Sequence, residues 1–359
     1  MPSKWDGIQS PKILDALRVA LSDDKMFSHR EVVDVVRAAL DDGILTPGEM
    51  HDLRIVAEKS ETMLARPKAM LLYLIEQTRN LYGTDGQFGL TTIQERYAAE
   101  IICGFLKRMG TGYFPKLDRD RVGIDLLFRI GNPEIMNQDT AGICGPVAFL
   151  YGLASDSPRT YAQYAVNLYE KGKAKIGEIV VEPSKGCRSY APPSSMSPAD
   201  WLAAASLRDS ENWWFDVDDV HVGFSASATI GEIEKWFVQA GYSDVQSKGN
   251  LVRGLDPSDI NDLNRYYGEG RRVVLRVNSK MLYVETQSET TYRGNHVVVL
   301  RSPITRTPRG FSSRSSPGAR ANTRSRKAAR YRKRTFWATC TVTSPASPSD
   351  AVRARSAEA

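Results

Sequence analysis

Helical and extended patterns are segregated along this 359-residue chain, and that order restricts the fold more than any composition figure does. Residues 1–112 carry apolar positions at helical spacing. Ser28-His29-Arg30-Glu31 and Thr46-Pro47-Gly48-Glu49 each fit the S/T-x-x-E capping box, in which a hydroxyl and a carboxylate satisfy main-chain N–H groups at a helix start. Val32, Val33, Val35, Val36, Ala39 and Leu40 follow the first box, and Met50, Leu53, Val56 and Ala57 the second. Further helices are expected through Met70–Ile75, from Thr91 or Thr92 towards Gly110, after Cys144, over Tyr161–Lys171, from Pro198, and over Thr229–Gly241. Glu182–Pro198 reads as a loop. β-type runs come only late, at Arg272–Val277, Met281–Thr286 and His296–Leu300. Helices first and strands afterwards predict an α+β fold.

Charge divides the chain in the same place. The whole sums to +6, but residues 301–359 hold 14 Lys/Arg against two Asp/Glu, which leaves the first 300 residues at −6. This last stretch is rich in Arg, Ser, Pro, Ala and Thr and has no amphipathic period. Residues 303–359 are therefore predicted to be a disordered basic tail, unable to bury enough apolar surface to offset the entropy of ordering. The change is abrupt, just past a strand that a sheet would be expected to extend, and a reading-frame shift near Pro303–Arg309 would produce it. The acidic body carries no helix-turn-helix, RNA-binding or zinc motif, so no specific nucleic acid is expected; a polyanion-binding tail is the remaining reading of the positive charge.

The longest apolar stretch, Ala69–Ile75, is too short to span a bilayer, and Met1–Asp6 lacks the apolar run of a secretory signal. The expectation is a chain that is cytoplasmic as synthesised and makes no membrane contact. Cys103, Cys144, Cys187 and Cys340 are scattered, with no CxxC or Cys/His cluster, so neither a zinc site nor a disulfide scaffold is expected, and no cofactor. Asp42–Glu49 resembles the second half of an EF-hand loop, but its first and third ligand positions would be Ala38 and Leu40, which cannot coordinate calcium; a connector between helices is the reading adopted.

The stretch with chemistry in it is Asn137-Gln138-Asp139-Thr140-Ala141-Gly142-Ile143-Cys144-Gly145-Pro146. A cysteine at a loop-to-helix junction suits a nucleophile, because the amides and the positive end of the helix dipole stabilise its thiolate. Gln138 is a neutral amide donor that can share an oxyanion site with the Cys144 N–H. Far downstream, Asn295-His296-Val297-Val298 opens an apolar strand, which can hold an imidazole rigidly for proton transfer.

Gln138-x5-Cys144-Gly145 followed by a helix, with Asn295-His296-Val297-Val298 opening a late strand, resembles the papain-like cysteine peptidase superfamily. Cys144-Gly145-Pro146 is most similar to its C39-like branch. The Cys-to-His interval of 152 residues agrees with that order. The resemblance spans roughly residues 115–302. The helical N-terminal module (1–112), read from its own pattern, lies outside it; the resemblance implies a papain-like domain (113–302) in which the helix carrying the cysteine packs on an antiparallel sheet. It also implies Cys144 as nucleophile, His296 as general base and acid, Gln138 in the oxyanion hole, and a protein or peptide substrate. The family places an Asn or Asp on the strand after the histidine; here Leu300 leads into Arg301-Ser302-Pro303, and the next candidates are Asn322 and Asp350. No third residue is assigned.

Alternatives stand beside this reading. The same thiol-acyl chemistry serves deamidases and transglutaminases, and the missing third residue keeps an inactive papain-like interaction module in view. Without a signal peptide, the layout is similar to bacterial effectors exported by dedicated secretion machines, including toxins, which would add an immunity or secretion partner. Cys144 alone would be a small buried hydrophobe. Cys103 reads as core, Cys187 as a loop thiol, His221 as a strand residue, Asp216, Asp218 and Asp219 as a solvated acidic turn, and Trp213-Trp214-Phe215 as core.

Overall fold

The computed structural model describes residues 5–22, 26–138, 142–211, 228–248, 257–277, 296–307, 310–312, 315–316 and 338–344. The chain begins with five helices, α1 (Pro11–Ala20), α2 (His29–Ala39), α3 (Pro47–Lys59), α4 (Ala65–Tyr82) and α5 (Ile93–Leu106). Both capping boxes read from the sequence are formed, at Ser28/Glu31 and Thr46/Glu49, and a third closes at Thr92/Glu95. Strands β1 (Ile44–Leu45) and β2 (Phe88–Gly89) pair antiparallel and tie the α2–α3 loop to the α4–α5 loop. Lys12 Nζ binds Asp41 and, at 2.9 Å, Asp42 Oδ2. Of the acids in the half EF-hand segment, Asp42 thus holds an ammonium group and Glu49 closes the Thr46 capping box, and no metal-binding cluster occurs among the described residues.

Next come α6 (Arg119–Gly131), α7 (Cys144–Asp156) and α8 (Pro158–Lys171), the last stopped by Gly172 in the left-handed conformation. The buried apolar side chains of α1 to α8 form one continuous core that crosses residue 112, because α5 packs on both α6 and α8. The hairpin β3 (Ala174–Ile176) and β4 (Ile179–Val181) leads to α9 (Lys185–Ser189). That short helix corrects the loop expected over Glu182–Pro198: Ser184 Oγ accepts the Cys187 N–H at 3.1 Å and caps a turn that composition did not advertise. Pro198 opens a helical run of α10 (Pro198–Asp200), a π-wound turn over Trp201–Ala205, and α11 (Ser206–Glu211). α12 (Ile230–Gln239) starts at the capping box Thr229/Glu232. The fold is α+β, and none of the described helices is long and apolar enough to cross a membrane.

The remaining elements are β5 (Ser243–Lys248), α13 (Pro257–Gly268), β6 (Arg272–Val277), β7 (His296–Leu300), β8 (Thr305–Thr307), β9 (Gly310–Ser312), β10 (Ser315–Ser316) and β11 (Ala338–Ser344). Five of them form an antiparallel sheet in the order β10-β7-β6-β11-β5. Residues 303–359 are thus not uniformly without structure, as their composition suggests. β11 lies between β6 and β5, and β8 pairs with β9. The reason is local: Thr339, Thr341, Val342 and Thr343 are β-branched, a strand signal that averaging over the surrounding Arg, Ser and Pro hides. The strand expected at Met281–Thr286 lies outside the described residues.

The sheet separates two apolar layers by the two-residue period of its strands. Val274, Val297 and Val299 join the main core, on which α7 lies. Val273, Leu275, Val277, Val298 and Leu300 face the other way and pack with Ile260, Leu263 and Tyr266 of α13. α7 is fastened at its far end as well: Arg272 Nη2 and Nε bind Asp156 at 2.5 and 3.0 Å.

Candidate active site

Cys144 is the first residue of α7, and local backbone geometry puts it there. Gly142 takes φ +60°, a conformation L side chains rarely adopt, and the Ile143 carbonyl accepts the Val147 N–H at 3.0 Å to start the helix. Gly145 is required for a different reason. A Cβ at this position would come within 2.3 Å of the Ala228 Cβ, so the helix start can lie against the segment leading into α12 only without a side chain there.

The thiol is 4% exposed. Burial pushes its pKa above the ordinary value, while the main-chain N–H groups of Val297, Gly145 and Cys144 itself, and the charge of Arg276, pull the other way. Arg276 is cross-strand from Val297, which places a cation on the strand beside the one that delivers the Val297 N–H. Cys144 is therefore a protonated thiol at neutral pH, held among groups that favour its anion.

His296 begins β7 and is 8% exposed. Strand alternation places it on the α13 side of the sheet with Val298 and Leu300, yet its ring meets the loop ahead of α7: Gln138 Nε2 lies 3.3 Å from His296 Nδ1. Burial depresses the imidazole pKa. Among the described residues no hydrogen bond joins Cys144 to His296, and His296 Nε2 and Gln138 Oε1 have no partner although both atoms are buried. The structure thus unites two of the three residues singled out in the sequence, Gln138 and His296, and brings the third, Cys144, to the N–H of the residue after the histidine.

The loop bearing Gln138 is fixed by groups that lie far from it in the sequence. Arg129 on α6 and Asp200 at the end of α10 form a buried two-armed ion pair, Nε–Oδ1 2.6 Å and Nη2–Oδ2 2.7 Å. Asp200 Oδ2 also accepts the Asn137 N–H at 2.9 Å. Burial works against the Arg129 charge, but Asp200 outweighs it and the pKa rises. Next to this pair, Asp125 accepts from Tyr73 Oη at 2.8 Å and from Ser197, and burial raises its pKa. Arg301, just past β7, pairs with Glu134 in the turn preceding Gln138. One signal for Arg129 was present in the sequence: a charge inside Leu126-Leu127-Phe128-Arg129-Ile130 must be buried and therefore paired.

The other candidates fall elsewhere. Cys103 is buried in α5, with its thiol pKa pushed up to about 12 by burial. Cys187 is buried at α9 rather than being a loop thiol. His221, Asp216, Asp218, Asp219, Trp213–Phe215, Asn295, Asn322 and Asp350 lie outside the described residues. Compared with known family models, curated proteins and solved structures, the chain gives no match.

Proposed function

We propose that the chain is a papain-like cysteine peptidase acting on a protein or peptide amide. The observation that carries this reading is the 3.3 Å contact between Gln138 and His296, 158 residues apart, beside a thiol at a helix start that faces the Val297 N–H. In the proposed reaction Cys144 Sγ attacks the carbonyl carbon as its proton passes to His296. The carbonyl oxygen becomes an oxyanion, taken up by the Cys144 N–H and the Gln138 amide. The C–N bond breaks, the leaving amine takes the proton from His296, and a thioester remains. Water then attacks the thioester, giving up a proton through His296, and the thiol is restored. Because both groups rest neutral, proton transfer accompanies attack rather than preceding it.

The test is alkylation of purified protein by iodoacetamide, mapped by peptide mass. Wild type is expected to label at Cys144, Cys144→Ala to lose that adduct, and His296→Ala to label more slowly; equal labelling of wild type and Cys144→Ala would argue against the reading. The lack of a direct Cys144–His296 hydrogen bond favours a second reading, an inactive module of the same fold, which predicts that His296→Ala leaves the Cys144 rate unchanged. For the cellular role we propose an exported effector toxin: expression in a bacterial cytoplasm should then be toxic and Cys144→Ala harmless, whereas a harmless wild type contradicts it.

A further inference from the structure

We propose that Tyr73, Asp125 and Ser197 are positioning residues for Gln138: they fix the start of α10, and with it Asp200, so that helix α4 of the N-terminal module is part of the support of the site. The effect on catalysis rests on the acyl-transfer reading above; the placement of Gln138 does not.

Asp125 lies on α6 and is 4% exposed. Its Oδ1 accepts from Tyr73 Oη at 2.8 Å, and its Oδ2 accepts from Ser197 Oγ. A carboxyl group buried this deeply costs free energy unless its oxygens are hydrogen-bonded, so both hydroxyls are held in place. Ser197 is also the N-cap of α10, where its Oγ accepts the Ala199 N–H at 3.1 Å. Its hydroxyl thus joins α6 to the first turn of α10 through both its proton and its lone pair.

Arg129 and Asp200 make a second join between the same two helices. Asp125 and Arg129 are four positions apart on α6, and Ser197 and Asp200 are three apart at α10, so the two joins stand one helical turn from each other. A single join would let α10 pivot on α6; two joins a turn apart fix both its rotation and its height. The position of Asp200 matters because its Oδ2 accepts the Asn137 N–H at 2.9 Å, and Gln138 is the next residue. Tyr73 brings in α4, which lies outside the span resembling the peptidases, and its ring sits 5.3 Å from the Arg121 guanidinium. Support therefore runs from Tyr73 through Asp125 to Ser197, along α10 to Asp200, and on to the residue whose amide nitrogen meets His296 Nδ1.

The test is 15N NMR of the full chain labelled at glutamine, with Gln138→Met identifying the side-chain NH2 signal of Gln138. Tyr73→Phe removes the hydroxyl on α4 and Ser197→Ala the one at the start of α10; both should move that signal towards the position of a solvated amide. Ser197→Thr, which keeps the hydroxyl, should restore the wild-type position. Thr78→Val is the control: it lies on α4, and its hydroxyl bonds within that helix to the Leu74 carbonyl at 2.8 Å, so it should lower the melting temperature and leave the signal in place. On the same samples, acylation of Cys144 by a saturating activated peptide ester should slow on the order of 10-fold in Ser197→Ala, with little change in KM. A Gln138 signal unmoved in Tyr73→Phe or in Ser197→Ala overturns the proposal, and so does a shift as large in Thr78→Val or in Ser197→Thr. Should Ser197→Ala not fold, Tyr73→Phe against Thr78→Val decides. A moved signal with an unchanged acylation rate overturns the catalytic effect. A wild type that is never acylated removes the acyl-transfer reading, while the placement of Gln138 stands or falls by the spectra.

Discussion

Asp200 Oδ2 accepts the main-chain N–H of Asn137 at 2.9 Å, and through that bond a buried ion pair on two helices sets the place of the next residue, Gln138. A buried ion pair adds little net stability, because desolvation offsets the attraction. Its value here lies in position. Asp200→Ala removes the carboxylate that pairs with buried Arg129 and should cost about 3–5 kcal/mol in a denaturant titration. The double variant Arg129→Met/Asp200→Leu should regain much of that stability yet lose the Asn137 anchor. Its Cys144 alkylation rate should stay on the order of 10-fold or more below wild type. A fully active double variant would show that the pair only stabilises.

Two helical glycines should respond in opposite directions to alanine. Gly145→Ala drives a Cβ to within 2.3 Å of Ala228 and is expected to cost about 1–3 kcal/mol by thermal unfolding. Gly104, on the exposed side of α5, has no atom within 4 Å of an added Cβ. Gly104→Ala should raise stability by about 0.5–1 kcal/mol through helix propensity alone.

Acid should weaken the fold through His296. Its folded-state pKa is depressed by burial below the ordinary 6.5, so the unfolded chain binds a proton first as pH falls. The contribution of the neutral ring is complete above 6.5 and declines as pH drops from there to the depressed value. Wild type minus His296→Asn, followed by denaturant titration, should show that loss below pH 6.5 and no slope from pH 7 to 8. Cys144 runs the other way: its raised pKa means that alkylation should keep climbing with pH beyond the ordinary thiol value of 9.0.

β11 is a central strand, so its main chain has partners on both sides: Thr341 is opposite Val274 in β6 and Ser247 in β5. Thr341→Pro removes a ladder donor and should cost about 3 kcal/mol or more. Deleting residues 338–359 should likewise broaden or abolish the unfolding transition. Unchanged melting after the deletion would mean that the sheet does not depend on this segment.

Much of this arrangement is legible in the sequence where the signal is local. The boxes at Ser28/Glu31, Thr46/Glu49 and Thr229/Glu232 are each complete within four residues, and all three helices begin where they say. Cys144 and His296 stand out because a loop-to-helix junction and a strand head are visible as local texture. What escapes is long-range. Arg129 meets Asp200 across 71 residues, Arg276 reaches the thiol's surroundings through its register with Val297, and α6 has two charged residues, Asp125 and Arg129, buried within its apolar face, which blurs its helical period. β11 escapes for the opposite reason, a seven-residue strand hidden by the composition of its neighbours. The Gln138–His296 contact is intermediate: both residues are nominated by pattern, but their partnership requires the fold.

The most direct measurement is the mass of the acyl-enzyme formed when the protein is quenched during reaction with an activated peptide ester. The account predicts one acyl group, on Cys144, labile to hydroxylamine, absent from Cys144→Ala and formed far more slowly by His296→Ala. Acylation at another residue, or at Cys144 with the same rate in His296→Ala, would contradict it.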